Sequence, residues 1–460
     1  MSIFKSCDIR GVYSEELDQN TFAGIGNAVA AQLYKNYSRP RVVVGGDVRT
    51  STPLLKERII NSLIESGCDV IDIGIAPTPL FYFAKEFLKV DAGLQVTASH
   101  NPKQYNGLKL MLGRLPITEE ELEEVKHNFE LGETNTGRNG GKLQKIDLTD
   151  EYVKFIEDKF KETHFSNLSV VMDASNGCYS EIAPRVFKDL GFKVERLNCE
   201  MDGNFPGHPP NPAVKENLTQ LSNSVKSSNA DYGICYDGDG DRVGFTDNRG
   251  NIVETDRIIV MLLRYILKTN PGRKIVYDIK CSSIVEEEII KNEGIPIMEK
   301  SGHTFIKTRM ITENCIFGGE ISGHLFYDHL WGGDDGLYSS LLIGKIISET
   351  NEPLNELLSD MPRYYITPDI RIPYEKNDKE QILEKIRNSF DKVLTVDGVR
   401  VDFDDGWGLI RISVTEPMLT LRFESKSKEN LPLIIENFLK PVPELKSLCQ
   451  PKIDRILSQL

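Results

Sequence analysis

The sequence has no long apolar run, no closely paired cysteines and no surplus of positive charge, and each lack closes off a class of function. No uninterrupted apolar stretch approaches the roughly 20 residues that span a bilayer, and the opening MSIFKSCDIRG holds no apolar signal core. The expected location is therefore cytoplasmic, with no membrane partner. Eight cysteines (Cys7, Cys68, Cys178, Cys199, Cys235, Cys281, Cys315 and Cys449) are scattered without a C-x-x-C pair. That spacing favours neither a zinc framework nor a disulfide scaffold, and buried free thiols are expected. A formal net charge of -14 argues against a surface that coats nucleic acid or anionic lipid, since both need a positive field. An anionic ligand must then meet locally concentrated cations.

What is present is an ordinary globular composition, 40% hydrophobic and 27% charged, in a chain of 460 residues. That length exceeds one core and suggests about three or four domains. Three segments run as an apolar, β-branched strand ending in Asp and a polar loop: RVVVGGDVRTS (41–51), LSVVMDASNG (168–177) and RKIVYDIKCSS (273–283). Each is followed by a helix-like stretch and a second strand after Gly: GCDVIDIG (67–74), GFKVERLN (191–198) and GIPIMEK (294–300). A third strand then ends in a loop of small or polar residues, in AGLQVTASHNP, DYGICYDGDGDR and ENCIFGGEISGH. This alternation predicts three tandem α/β domains with mixed, mostly parallel sheets. Ligands gather beyond the carboxyl ends of such strands, so the three loops are expected to converge on one site.

The remaining chain reads differently. TPDIRIPY (367–374) suggests a strand, KEQILEKIRNSF (379–390) carries apolar residues at helical spacing, and LPLIIENFL suggests a helix. Asp397-Gly398 and Asp405-Gly406 are hairpin signals. A smaller C-terminal α+β domain with an antiparallel sheet follows. The expected domains are 1–148, 149–250, 251–366 and 367–460.

In YDGDGDR (236–242), Asp237, Asp239 and Asp241 alternate with glycines, so an extended backbone would project all three carboxylates to one side. Such a set suits a hard cation such as Mg²⁺. A solvated acidic turn is the plain alternative, and an EF-hand is disfavoured because Arg242 and Asn248 occupy its sixth and twelfth positions. In LQVTASHNP, Ser99, beside His100, is a candidate nucleophile or phosphoryl carrier, and YNGLK ends in Lys109, which would place a cation or proton near a reacting hydroxyl. A polar turn and a surface lysine are the bland readings. GHTFIK and GGEISGH contribute His303, Glu320, Ser322 and His324; Glu320 and Ser322 in a glycine-framed loop can hydrogen-bond vicinal sugar hydroxyls, whereas a lone histidine is more often structural than catalytic. RISVTEP (411–417) offers Arg411, Ser413, Thr415 and backbone amides to a phosphate, unless it is simply a hairpin loop.

Taken in order, DIRG (8–11), TASHNP (97–102), DGNFPGHPPNP (202–212), DGDGDR (237–242), GHTFIK, GGEISGH and RISVTEP resemble the α-D-phosphohexomutases, in the phosphomannomutase/phosphoglucomutase branch. The resemblance spans nearly the whole chain. It implies four domains around a central cleft, a phosphoserine at Ser99, and one Mg²⁺ between that phosphate and Asp237, Asp239 and Asp241. It further implies that the 411–417 loop, Val414 included, grips the substrate's existing phosphate. Phosphoserine would pass its phosphoryl group to a sugar hydroxyl, and the hexose 1,6-bisphosphate would turn round and return its other phosphate. Arg242, Lys109, Arg10 and Lys280 would neutralise charge, with His303 and Lys109 managing protons. Closure of the tail domain by a hinge near 366 would keep water off the phosphoserine. Glu320 and Ser322 on the 3- and 4-hydroxyls would leave mannose and glucose alike, and Ile321 favours a hexose over glucosamine.

The chain departs from the family pattern at Cys7, where Tyr is common, at Val414, where Asn or Gly is usual, and at Gly46, where Arg is frequent. Phosphoglucosamine mutase, a sugar-phosphate phosphatase and a non-catalytic sugar-phosphate sensor are the rival functions. Phosphosugars are the expected partners, and a monomer or weak dimer the expected assembly.

Overall fold

A computed structural model describes residues 3–6, 8–132, 140–376, 378–412 and 418–458. The threefold plan of the sequence becomes one topology used three times. In each of the first three sheets the strand that opens the repeat pairs in parallel with both the second and the third. Arg41–Gly46 lies between Asp69–Ile75 and Ala92–Val96, Ser169–Asp173 between Lys193–Leu197 and Tyr232–Tyr236, and Lys274–Asp278 between Ile295–Glu299 and Phe317–Gly319. The third strand of each set then turns back as an antiparallel neighbour: Tyr105–Leu112, Val243–Thr246 and Leu325–Tyr327. The sheets are therefore mixed. Each return turn carries one of the loops singled out in the sequence.

Central strands are apolar on both faces because helices cover both. Val42, Val43 and Val44 are fully buried, and only Arg41 at the strand's start is exposed. One continuous core joins these domains, running from Phe81 through Tyr179 and Tyr236 to Tyr327 and Leu341.

The tail is a six-stranded antiparallel sheet with Met418–Ser425 at its centre, flanked by Gly406–Ile412 and by Ile370–Pro373 and Tyr365–Ile366. Helices Lys379–Arg387 and Leu431–Leu439 form where expected, because Ile382 and Ile386, and Ile434, Ile435 and Phe438, line one buried side of each. A further helix, Pro443–Leu457, closes the chain with Pro451 inside it. The tail keeps its own core and meets the third domain through a small seam of Ile279, Trp407 and Leu409. There the Trp407 indole donates to Glu424 at 2.9 Å, and Glu424 also accepts from Ser283 N at 3.0 Å. Arg400 lies over the Trp407 ring at 4.3 Å and donates to Ile279 O at 2.9 Å.

No helix among the described residues is long and apolar enough to cross a membrane. Cys178, Cys199, Cys235, Cys281, Cys315 and Cys449 are buried thiols, as expected; Cys7 lies outside the described residues.

Trp407→Ala removes the largest fully buried side chain of the tail together with the donor to Glu424. The expected loss is about 3–5 kcal/mol. Chemical denaturation of the variant should show the tail melting before the rest.

Candidate active site

Ser99 sits on the return turn after Ala92–Val96 in a left-handed conformation, φ 50°, which a non-glycine residue adopts only when its surroundings impose it. The imposing group is Arg49, 1% exposed, one turn after the first strand. Its guanidinium donates to four carbonyls of the serine loop: Ser99 at 2.7 Å, Asn101 at 2.6 Å, Pro102 at 2.7 Å and Tyr105 at 3.0 Å. Asp47 holds Arg49 Nε at 3.0 Å and accepts from Thr97 Oγ1 at 2.8 Å, and Thr97 Oγ1 in turn accepts from Ser99 N. Phe205, from the DGNFPGH segment, lies under the guanidinium at 5.1 Å. A side chain at Gly203 would collide with Val48 O and the Arg49 backbone, so this second-domain segment braces the serine loop closely. Neither Arg49 nor Phe205 is evident from the sequence. The one signal the sequence carries is Asp-x-Arg at the end of the first repeated strand, and nothing in DGNFPGHPPNP itself marks Phe205 as a brace.

The three aspartates are buried, each 0% exposed, and their ligand atoms lie within 4.8 Å of one another. They converge because the chain turns at 238–241 with Gly240 at φ 80°, which corrects the extended backbone expected from alternation. Ser99 Oγ donates to Asp237 Oδ2 at 2.6 Å and lies 3.3 Å from His100 Nδ1. Thr78 Oγ1 and Lys109 Nζ donate to Asp239 Oδ2 at 2.6 and 2.8 Å, and Lys109 also bridges to Asp241. Burial works to discharge Lys109, but Asp239, Asp241 and further carboxylates outweigh it and raise its pKa. Lys109 and the charged His324, which lies 3.3 Å from Asp241 Oδ1, still leave negative charge over among three buried carboxylates, and Asp239 Oδ1 is buried without a hydrogen-bond partner. A divalent cation taking oxygen ligands fits this set.

The third-domain loop reaches the same place. Arg242 and His324 form a bridge between the second and third loops. His324 Nδ1 meets Glu320 Oε2 and Ser322 Oγ, each at 2.9 Å, and its Nε2 lies 3.3 Å from Asp241 Oδ1 and 3.6 Å from Asp334. Burial and Arg242 oppose its charge, yet Asp241 and Glu320 push its pKa up to about 9. His303 begins the helix His303–Thr312, its ring 5.6 Å from His324. Burial, Lys109 and His324 hold it well below the usual range, so it is neutral. His100 is neutral too, through burial and the charges of Arg242 and Arg10. Arg10 joins the serine loop by donating to Asn101 Oδ1 at 2.7 Å.

Lys280 and Arg411 stand at the seam with the tail. Lys280 Nζ is 3.6 Å from Asp369, and Arg411 pairs with Asp397, which also accepts from Ser301 N. Ser413, Val414 and Thr415 lie outside the described residues. Asp173, His208 and Cys235 also cluster. Both His208 nitrogens are engaged, with Asp173 at 3.0 Å and Pro209 O at 2.8 Å, and burial keeps the Cys235 thiol protonated, so this group reads as a brace.

Models of four families match in order: phosphoglucomutase/phosphomannomutase alpha/beta/alpha domain I over residues 1–136, domain II over 150–250, domain III over 254–365, and the C-terminal domain over 370–440. The chain is 38% identical over 454 residues to a phosphomannomutase/phosphoglucomutase of Pseudomonas putida, covering 97% of each. It is 36% identical over 443 residues to a phosphoglucomutase of Neisseria gonorrhoeae, covering 95% of each. A crystal structure of a phosphoglucomutase/phosphomannomutase family protein from Burkholderia thailandensis superposes with a TM-score of 0.89 at 34% identity, covering 97% of each chain.

Two outcomes test this geometry. Arg49→Lys keeps the charge but cannot serve four carbonyls. Turnover should drop about 100-fold with a much smaller change in KM, since misplacing a reacting group by about 1 Å costs that much. His208 has a raised pKa because Asp173 outweighs burial. Its contribution to stability is complete below the unfolded value of about 6.5 and is lost as pH rises through the higher folded value. Urea midpoints followed from about pH 6 to 9 should fall more in the native protein than in His208→Gln. Equal slopes would remove His208 from the brace.

Proposed function

We infer the reaction from one premise: the chain belongs to the phosphoglucomutase/phosphomannomutase family. It is a phosphohexomutase, an intramolecular phosphotransferase that interconverts hexose 1-phosphate and hexose 6-phosphate. The observation that carries the mechanism is the Ser99 hydroxyl, 2.6 Å from Asp237 in a buried three-aspartate turn.

In this reading Ser99 is carried as phosphoserine. A sugar hydroxyl forms a new O–P bond while the Ser99 O–P bond breaks. The hydroxyl proton passes to His303, which is neutral and able to accept it. The departing Ser99 oxygen takes up that proton from His303, which is neutral again, and becomes the donor to Asp237. When the hexose 1,6-bisphosphate has turned round, Ser99 takes the other phosphoryl group and the proton returns to the sugar. Lys109 is tied to Asp239 and Asp241 as an ammonium and serves as fixed positive charge rather than as a base. A Mg²⁺ ion held by Asp237, Asp239, Asp241 and the Ser99 phosphate would neutralise charge on the phosphoryl group in transfer.

His324, charged between Glu320 and Asp241, fixes the sugar loop to the aspartate turn, so that Glu320 and Ser322 can meet the 3- and 4-hydroxyls. Mannose and glucose differ at carbon 2, and relatives carry the names of both activities. Dual specificity is the substrate reading. Arg411 and Lys280, with the 413–415 residues, take the distal phosphate. The tail's separate core and small seam support a hinge just before Tyr365–Ile366 that closes over it.

Incubating the protein separately with glucose 1-phosphate and mannose 1-phosphate, with Mg²⁺ and a trace of bisphosphate as activator, should yield both 6-phosphates. Ser99→Ala should lose turnover on the order of 10⁶-fold, as for other lost nucleophiles, while still binding substrate. Inorganic phosphate released without isomer, or a labile phosphate mapped to another residue, would overturn the mechanism.

A further inference from the structure

Two adjoining hollows outside the catalytic loops carry cations that the reaction does not use. The first, a cavity of about 150 Å³, is lined by Tyr82, Arg114, Lys307 and Trp331 among others. The second, of about 310 Å³, shares Arg114 and Glu86 with it and continues to Lys85 and Lys89. None of the residues lining them is Ser99, a member of the aspartate triad or part of the 320–324 loop. Together they fall in the range of ligand sites, about 300–1,000 Å³.

Lys307 is 2% exposed. Its ammonium lies 3.1 Å from the centre of the Tyr82 ring and 3.9 Å from Met111 Sδ, and it makes no salt bridge among the described residues. The carboxylates that line the two hollows have other partners, Asp91 accepting from Arg41 N at 2.8 Å. Glu86 pairs with Lys85 at 3.2 Å, and Asp328 with Arg273 and His329, each at 3.3 Å. Arg114 and Lys89 likewise make no salt bridge among the described residues. Burial moves Lys307 down to about 7, although the buried Asp334 carboxylate acts to raise it, and an anion entering the cavity would favour its charged form. In a chain of net charge -14, the buried Lys307 with the exposed Arg114 and Lys89 sets three basic side chains along one groove, a local site for an anion.

The wall of the groove has an unusual shape. Trp331 holds a left-handed φ of 56° and remains 41% exposed, although one face is stacked on Phe155 at 5.4 Å and 16°. A bulky residue in that conformation is strained, and here the strain presents an indole beside the cations. Cations strung over two hollows suit more than one phosphate, and a flat exposed ring suits another flat ring.

We propose that this groove binds a nucleoside diphosphate, its phosphates on Lys307, Arg114 and Lys89 and its base against Trp331. The chain has two tryptophans, and the other, Trp407, is fully buried, so indole fluorescence reports on the groove. ADP titrated into the full-length protein should quench this signal, and Trp331→Phe should abolish the quench. Arg114→Gln, an exposed substitution, and Lys307→Met, checked for folding by circular dichroism, should each weaken binding about tenfold. Glucose 6-phosphate should not displace the nucleotide. Absence of quenching, displacement by glucose 6-phosphate, or indifference to both cation substitutions would overturn the site. Pyrophosphate binding as tightly as ADP would overturn the assignment of a base to Trp331.

Discussion

Three carboxylates share one fully buried turn, and their mutual repulsion is the constraint around which the rest is arranged. Burying an ion costs several kcal/mol even after relaxation, and like charges a few ångströms apart add to it. The fold answers with Lys109 from the first domain, His324 from the third and the hydroxyls of Thr78 and Ser99. Each partner comes from a domain other than the one that carries the aspartates. The charge problem therefore holds three domains in register, and the unpartnered oxygen of Asp239 leaves a place that a divalent cation fits.

Repetition makes this economical. Each of the first three sheets ends its third strand in a return turn, so three copies of one topology deliver three different loops to a common point. The continuous core behind them makes a rigid support, whereas the tail, with a separate core and a small seam, is mechanically distinct. A phosphoryl-transfer site needs both properties: fixed charges where the bond changes, and a part that moves to exclude water. The Ser99 loop is heavily braced, with one buried arginine binding four of its carbonyls.

The histidines show how neighbours, rather than residue type, assign a role. His324 stands between Glu320 and Asp241 and stays charged, while His303, one ring away, faces Lys109 and His324 and stays neutral. One is a fixed cation and the other a neutral ring, which the proposed mechanism uses as proton acceptor. Nothing in GHTFIK or GGEISGH separates the two, because the difference lies in distances between loops more than a dozen residues apart in the chain.

The sequence by itself determined the strand grammar, the three loops and the identity of the ionisable groups in them, since apolar periodicity, Gly and Asp placement and turn chemistry are local properties. It carried the family resemblance for the same reason, as short motifs in a set order. Only the tertiary structure decided that the aspartates meet through a turn, that Lys109 is locked as an ammonium, and that Arg49 and Phe205 hold Ser99 in a strained conformation. Those facts depend on burial and on contacts between residues as many as 156 positions apart in the numbering of Arg49 and Phe205, and on electrostatics that no local pattern encodes.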